Sequence, residues 1–418
     1  MPVEAAQLIK DDQDHLIHPL HHPSDHLEPM VYVRGRGAVL TDVQGREYID
    51  GLAGLWNVNV GHGRTELADA AANQIRELAY YSAYSGSTNI PAIQLASKLM
   101  TIAYPNMQGV FFTSGGAESN ESAFKTARFY WKTKGKPDKV KVIARSLAYH
   151  GVTLQAMSAT GMSAYWKMFE PRVPGFVHIP TCYPYRQEGA KPGETAGQTA
   201  ARLLEEAIVR EGADTVAAFI ADEVITGFCR TGKWFALEHW NVLPDIVSFA
   251  KGVSSGYLPL GGIMVSKTIK QAMDEVKPED KWMHAYTYSG HPTCCAVGIA
   301  NLEIMERERL WERAAAMGTR LHKGLQQALG DHKHVGDIRG GKGLLACVEL
   351  VEDRGTKAPF GVDKKVGPRV LAEMTKRGVI TRARLEHIFF APPLIVSEAQ
   401  VDRLVSVTHD AIKAVTGS

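Results

Sequence analysis

Short apolar runs recur through the middle of the chain, with helix-forming intervals between them. "QGVFFT" (108–113), "KVKVIAR" (139–145), "TVAAFIA" (215–221), "PDIVSFA" (244–250) and "LGGIMVS" (260–266) read as buried strands. After the first, Ala123, Ala127, Tyr130 and Trp131 fall at helical spacing, which predicts a helix with one apolar side. This alternation predicts an α/β fold whose mainly parallel central sheet is covered by helices on both faces. Beyond residue 293 the pattern changes. A long helical stretch (294–329) is followed by "GKGLLACVEL", a helix near 364–377, "GVITRAR", "HIFFAPP" and a last helix from Ser397, which together predict a smaller α+β domain. Near residue 42, "TDVQGREYIDG" reads as a hairpin with Gly45 at its turn, and joins that smaller domain.

The chain of 418 residues is long for one core. The expected division is a large domain over 57–307, with 1–56 and 308–418 forming the small one. A net charge of +2 gives no case for nucleic acid, and no apolar run is long enough to span a bilayer. The first residues lack the pattern of a signal peptide. Five cysteines without metal spacing read as reduced thiols of a cytoplasmic chain. His15, His18, His21, His22 and His26 make a histidine-rich arm. Pro19 and Pro23 break any helix that would align them, and no Cys or paired acid completes a site, so no metal is expected.

The chemistry gathers at strand ends. In "FFTSGGAESN" a strand meets two glycines and then a helix, a turn whose N–H groups can hold a phosphate. A tight strand-to-helix turn needs glycine in any case, so this stretch alone leaves both readings open. Lys251 follows the run 244–250, where the carboxyl end of a strand in an α/β sheet places ligand-binding groups. A lysine in a dry setting there is a nucleophilic amine. Asp222 ends the run 215–221 in the same way, so the two should share one sheet edge. Phosphate turn, acid and lysine match the needs of pyridoxal phosphate, whose ring nitrogen takes an Asp and whose carbonyl takes a Lys.

"SGGAESN", "YHG", "ADEVITGFCRTG", "FAKGVSSGYLPLGG" and "YTYSGHP", in this order, resemble the class III pyridoxal-phosphate aminotransferases, and within them the omega-aminotransferases of the amine or beta-alanine:pyruvate type. "DGLAGLWNVNVGHGR" (50–64) and "APPL" (391–394) fit as well, so the resemblance runs over nearly the whole chain. It implies the transferase fold of type I, a homodimer with shared sites, an amine donor and a keto acid acceptor. By the same resemblance Lys251 carries the Schiff base and shuttles the proton, while Asp222 partners the ring nitrogen. Val224 and Tyr149 take the two ring faces. Gly116 and Ala117 give N–H groups to the phosphate, and Thr287 reaches the phosphate of the partner subunit. Trp56, Tyr149 and Leu20 line the substrate pocket. Arg382 binds a substrate carboxylate, with Arg384 as its competitor two positions along the same strand. The blander readings, behind the functional ones, are Trp56 as core filler and Arg382 in a surface ion pair. An aminomutase, a decarboxylase or a non-catalytic cofactor-binding dimer are the alternatives on this fold.

Three departures from the family pattern carry consequences. Ala117 and Ser119 stand where Ser and Ala are usual. Leu385 and Glu386 replace a Gly-Asp turn, and a leucine does not take positive φ cheaply, which predicts a reshaped loop. The largest lies between Ile220 and Ala221, where a whole βα unit, on the order of 30 residues, is missing. One strand must then serve where two adjacent strands did, and the sheet must close the gap or leave a void.

Overall fold

The computed structural model describes residues 5–25, 27–84 and 86–417, so His26 of the histidine-rich arm lies outside the described residues. In chain order the elements are α1 (Ala5–His15), β1 (Tyr32–Arg36), β2 (Val39–Asp42), β3 (Glu47–Asp50), the short α2 (Ala53–Trp56), α3 (Thr65–Leu78), α4 (Ile90–Ile102), β4 (Met107–Thr113), α5 (Gly116–Thr133) and β5 (Lys141–Arg145). There follow α6 (Leu154–Ala159), β6 (Phe176–Ile179), α7 (Ala196–Glu211), β7 (Val216–Phe219), β8 (Ile246–Phe249), β9 (Gly261–Ser266), α8 (Lys267–Asp274), α9 (Pro292–Arg307) and α10 (Leu310–Leu329). The last are β10 (Val335–Arg339), β11 (Ala346–Leu350), α11 (Val366–Lys376), β12 (Val379–Ile380), β13 (Arg382–Arg384), β14 (His387–Phe390) and α12 (Glu398–Thr416). The chain forms two compact units, one of 56–59 and 65–315, the other of the rest, with a boundary inside α10.

The smaller unit holds two four-stranded sheets, β1-β2-β3-β12 and β10-β11-β14-β13. The β2–β3 hairpin forms where the sequence places it. Asp42 accepts the N–H groups of Gln44 and Arg46, each at 2.9 Å, and Gly45 supplies the φ of +80° that the turn needs. α12 begins at Ser397 with a capping box to Gln400. The long helical stretch expected over 294–329 is helical as α9 and α10, which are separated where Arg309 takes a φ of +48°. Leu385 sits at φ +52°, so this turn keeps the left-handed geometry of a glycine turn instead of being reshaped.

The larger unit carries the strands read from the sequence, together with β6 and α7, which were not foreseen. β6-β5-β7 is parallel throughout. In β5 the side chains alternate: Val142 and Ala144 pack with Phe124 and Ala159 on one face, and Ile143 packs with Ala207, Leu204 and Ile208 on the other. In β4-β9-β8 the middle strand runs antiparallel to both neighbours, and Ile263 and Val265 pack against Ala123, Tyr130 and Ile269. Parallel strands and covering helices are thus as expected, but the sheet is in two halves, with α5 packed against both.

The break falls between β7 and β8, where the family pattern loses its unit. Ile220 N–H donates to Ile143 of β5 at 3.0 Å, and three residues on Glu223 N–H donates to Ser248 of β8 at 3.2 Å. One run of chain therefore begins in the first half-sheet and finishes beside the second. Below that crossover the halves stand apart, leaving a cleft of about 480 Å³ lined by residues 217–222, 244–246 and the apolar face of α5.

Candidate active site

β7 and β8 both lead into a second cleft, of about 380 Å³, lined by the turn after β4, residues 149–151, 222, 224 and 225, and Lys251. Lys251 follows β8 at φ +46°, a conformation costly for any residue with a Cβ. The turn is held from behind, because the Asn301 amide donates to Gly252 and Val253 carbonyls at 2.8 and 2.9 Å. Gly252 is obligatory on space: a Cβ there would stand 2.7 Å from Asn59 Nδ2 and 2.8 Å from Phe228 Cβ. Burial pulls the Lys251 ammonium below the ordinary lysine range, and the charge of Asp222 opposes that shift.

The Asp222 side chain is only 11 % exposed, and desolvation by itself would push its carboxyl up. Its partners outweigh that and hold it below the usual range: His150 Nδ1 lies 2.7 Å from Oδ2, Asn120 Nδ2 donates to the same oxygen at 3.2 Å, and Val224 N–H donates to Oδ1 at 3.2 Å. The carboxylate is thus kept ionised at the cleft floor. Its neighbour Glu223 faces the other way and is only 3 % exposed. Oε1 accepts Tyr104 Oη at 2.9 Å and Leu237 N–H at 3.2 Å; Oε2 accepts Thr226 Oγ1 at 2.6 Å and Ala236 N–H at 3.1 Å. The two adjacent acids therefore divide the work: Asp222 serves the cleft, and Glu223 ties the following loop to α4's C-terminal turn.

At the end of β4, Ser114 N–H is capped by Glu118 Oε2 at 2.7 Å, and Gly115 is extended at φ −176° before α5 begins. A Cβ on Gly115 would meet nothing within 4 Å, so open space lies against the helix N-terminus. The N–H groups of Gly116 and Ala117 in that first turn have no intrahelical acceptor. Gly116 lets β7's end approach, since a Cβ there would lie 2.9 Å from Val224 Cγ1. Ala117 brings no hydroxyl to the cleft. The hydroxyl of Ser119 is instead an internal tie, 2.9 Å from Thr113 Oγ1 and from the carbonyl of Phe249, and accepting Gly262 N–H at 2.9 Å.

Lys251, Asp222, Val224, Tyr149, Gly116 and Ala117 thus line one cleft. Trp56 does not line it, although its neighbour Asn57 does. Thr287 lies outside it, with its carbonyl accepting Tyr80 Oη at 2.6 Å. Leu20, Arg382 and Arg384 belong to the smaller unit. Sequence reasoning passed over His150, Asn120 and Asn57. His150 stood inside the quoted "YHG", and the buried acid needing a donor was the signal that could have picked it out. In the arm, His18 Nε2 meets Asp12 at 2.9 Å, and among the described residues no group of three or more His, Cys, Asp or Glu side chains could hold a metal.

The sequence model of the class III aminotransferases matches residues 21–221 and again 213–412. The chain is 37 % identical to a diaminobutyrate–2-oxoglutarate transaminase of Halomonas elongata, over 92 % of this chain and 90 % of that protein. It is 34 % identical to a taurine–pyruvate aminotransferase of Bilophila wadsworthia, over 99 % of each. The fold matches an (S)-enantioselective omega-transaminase from Thermomicrobium roseum with a TM-score of 0.94 and 43 % identity, covering 99 % of both chains. The chain belongs to the class III aminotransferases, pyridoxal-phosphate-dependent enzymes, and it is a transaminase of the omega type. The comparisons also bear on the break in the sheet. Residues 213–221 are matched by two separate stretches of the family pattern. The alignment with the taurine enzyme runs over 464 positions, at least 46 more than this chain of 418 can fill.

Proposed function

We propose that the cleft below Lys251 binds pyridoxal phosphate and that the protein moves an amino group from an amine or omega-amino acid to pyruvate or a similar keto acid. The observation that carries this is the pairing at one cleft of a lysine depressed by burial with an aspartate held ionised by His150 and Asn120. The cleft's volume of about 380 Å³ falls within the range of small-molecule sites. Gly116 and Ala117 N–H groups would take the phosphate, with Val224 and Tyr149 on the two ring faces. Asp222 would hold the ring nitrogen, and Lys251 Nζ would bond the cofactor covalently. When bound, the cofactor supplies a sink for the electron pair left on the donor carbon. Lys251, once displaced by the donor amine, takes the proton from that carbon at Nζ and returns it, as base and acid in turn. His150 donates to Asp222 and keeps it from taking a proton meanwhile.

The larger unit would then be the cofactor-binding domain. Trp56 and Leu20 at the substrate, Arg382 or Arg384 at a carboxylate, and Thr287 at the phosphate of a partner subunit in a homodimer rest on the family resemblance. A cytoplasmic setting agrees with five free cysteines, four of them buried. Protein given pyridoxal phosphate should gain a visible absorption band that an amine bleaches and pyruvate restores, with keto acid consumed one-for-one with amine. Turnover retained in Lys251→Ala refutes the assignment, and amine consumed without keto acid turns it to a decarboxylase or aminomutase.

A further inference from the structure

The cleft between the half-sheets has the features of a vacant strand position. β7 ends one half-sheet and β8 ends the other, so each has an unpaired edge. The two run in the same direction, since the residues that follow them, Asp222 and Lys251, meet at one cleft. Alternation along each strand fixes which backbone groups face the gap. On β8, Ser248 C=O accepts Glu223 N–H, so Ile246 two residues earlier also turns its N–H and C=O that way. On β7, Ile220 N–H goes to β5, so Ala217 and Phe219 face the gap. The Ala217 carbonyl already takes a substitute donor there, Trp131 Nε1 at 2.8 Å. α5 closes one side with the apolar side chains of Phe124, Ala127 and Tyr130.

We propose that this cleft accepts an extended apolar peptide as a parallel strand between β7 and β8, completing the sheet in trans. Two observations set the chemistry of the occupant. Residues 213–221 satisfy the family pattern at two places, so β7's own sequence is the pattern of the absent strand. The lining carries two acids and no basic side chain; Asp245 stands exposed at the mouth where β8 begins, and Asp222 lies at the inner end. A strand parallel to β8 presents its N-terminal end to Asp245, so the fitting peptide is an apolar run led by a basic residue. Its backbone would meet Phe219 and Ile246, as in other cases of strand addition. Asp222 lines this cleft and the candidate active site alike, so the occupant would touch a residue of the site from behind.

The test uses the cofactor-loaded protein and a fluorescent peptide of one lysine followed by the sequence of 215–221, read by anisotropy. This readout needs no turnover, so its failure is separate from failure of the transaminase reading. Saturable binding is expected, and is lost when the third and fifth residues of the peptide are proline. Asp245→Lys, at an exposed position, should weaken the lysine-led peptide by about two- to five-fold and strengthen a glutamate-led one by a similar factor. Ile246→Pro removes an edge donor that faces the gap and should abolish binding. Absence of saturable binding, equal binding of the proline-interrupted peptide, or indifference to the charge swap each overturns the proposal.

Discussion

Glu223 is a buried carboxylate that meets four donors and no cation among the bonds described above, and its replacement by glutamine has a calculable cost. The amide keeps one acceptor oxygen and turns two N–H donors on whatever met the other. If the amide nitrogen faces Thr226 and Ala236, the hydroxyl can rotate to accept, but Ala236 N–H cannot. If it faces Tyr104 and Leu237, the phenol can rotate to accept, and Leu237 N–H keeps Tyr104 Oη, which it already meets at 3.0 Å. The second orientation orphans no backbone donor, so it avoids the penalty of about 1–3 kcal/mol that the first would carry. The remaining bonds lose their charge assistance, about 0.5–1 kcal/mol each by the difference between charged and neutral acceptors. The bonds from Thr226 and Ala236 remain on the amide oxygen, so Glu223→Gln should destabilise the larger unit by about 1–2 kcal/mol. The assay is urea unfolding followed by tryptophan fluorescence. All seven tryptophans lie in residues 56–59 or 65–315, so the signal reports that unit and is blind to the other. The wild-type Tyr104 phenol is pushed up by burial and by Glu223. In the Glu223→Gln background Tyr104→Phe removes the acceptor left to Leu237 N–H, so it should cost more than in wild type, where Glu223 Oε1 still accepts that donor. A loss below about 0.5 kcal/mol for Glu223→Gln, or strict additivity of the pair, refutes the reasoning.

Three further outcomes are expected. Gly252→Ala drives a Cβ against Asn59 and Phe228, and should cost about 1–3 kcal/mol in tryptophan-monitored stability while displacing Lys251 and cutting kcat. Leu385→Gly relieves a leucine at φ +52° that is 59 % exposed, and should raise the smaller unit's stability by about 0.5–1 kcal/mol, read by hydrogen exchange of β13 and β14 amides. Cofactor capture should rise with pH as Lys251 loses its proton, with a midpoint below the ordinary lysine value of 10.5; Asp222→Asn removes the one charge opposing that shift and should move the midpoint lower still.

What could be read from the sequence were features with a local cause. Apolar runs set the strands of the larger unit, and the residue just past a run is placed by the strand itself, which is why Lys251 and Asp222 were found. Ser397 and Gly45 were legible because caps and turns restrict residue type. His150 was not singled out, because it meets Asp222 across 72 positions of chain and no period links them. β6 was missed because it is only four residues long; α7 does carry a helical period in Ala200, Leu203, Leu204, Ala207 and Ile208, and that signal was passed over. The Leu385 turn defied expectation because the surrounding hairpin imposes its geometry: β13 and β14 pair through Arg384 and His387 on either side of it. The missing unit was visible as an abrupt junction, but only coordinates could show that its place stays open.

The crossover at residues 220–223 has a consequence for how the larger unit breathes. A continuous sheet shares its ladder from edge to edge, so its amides tend to open together. Here the ladder is interrupted, and between β7 and β8 the bond from Glu223 to Ser248 is the backbone tie described above. Each half-sheet can open as a cooperative subunit of its own, with α5 as the slab both rest on. Amides of β5 and β6 should then exchange with one common free energy and those of β8 and β9 with another. Asp222 sits at the joint between them, so the precision of its placement depends on the slower-opening half holding while the other lets go.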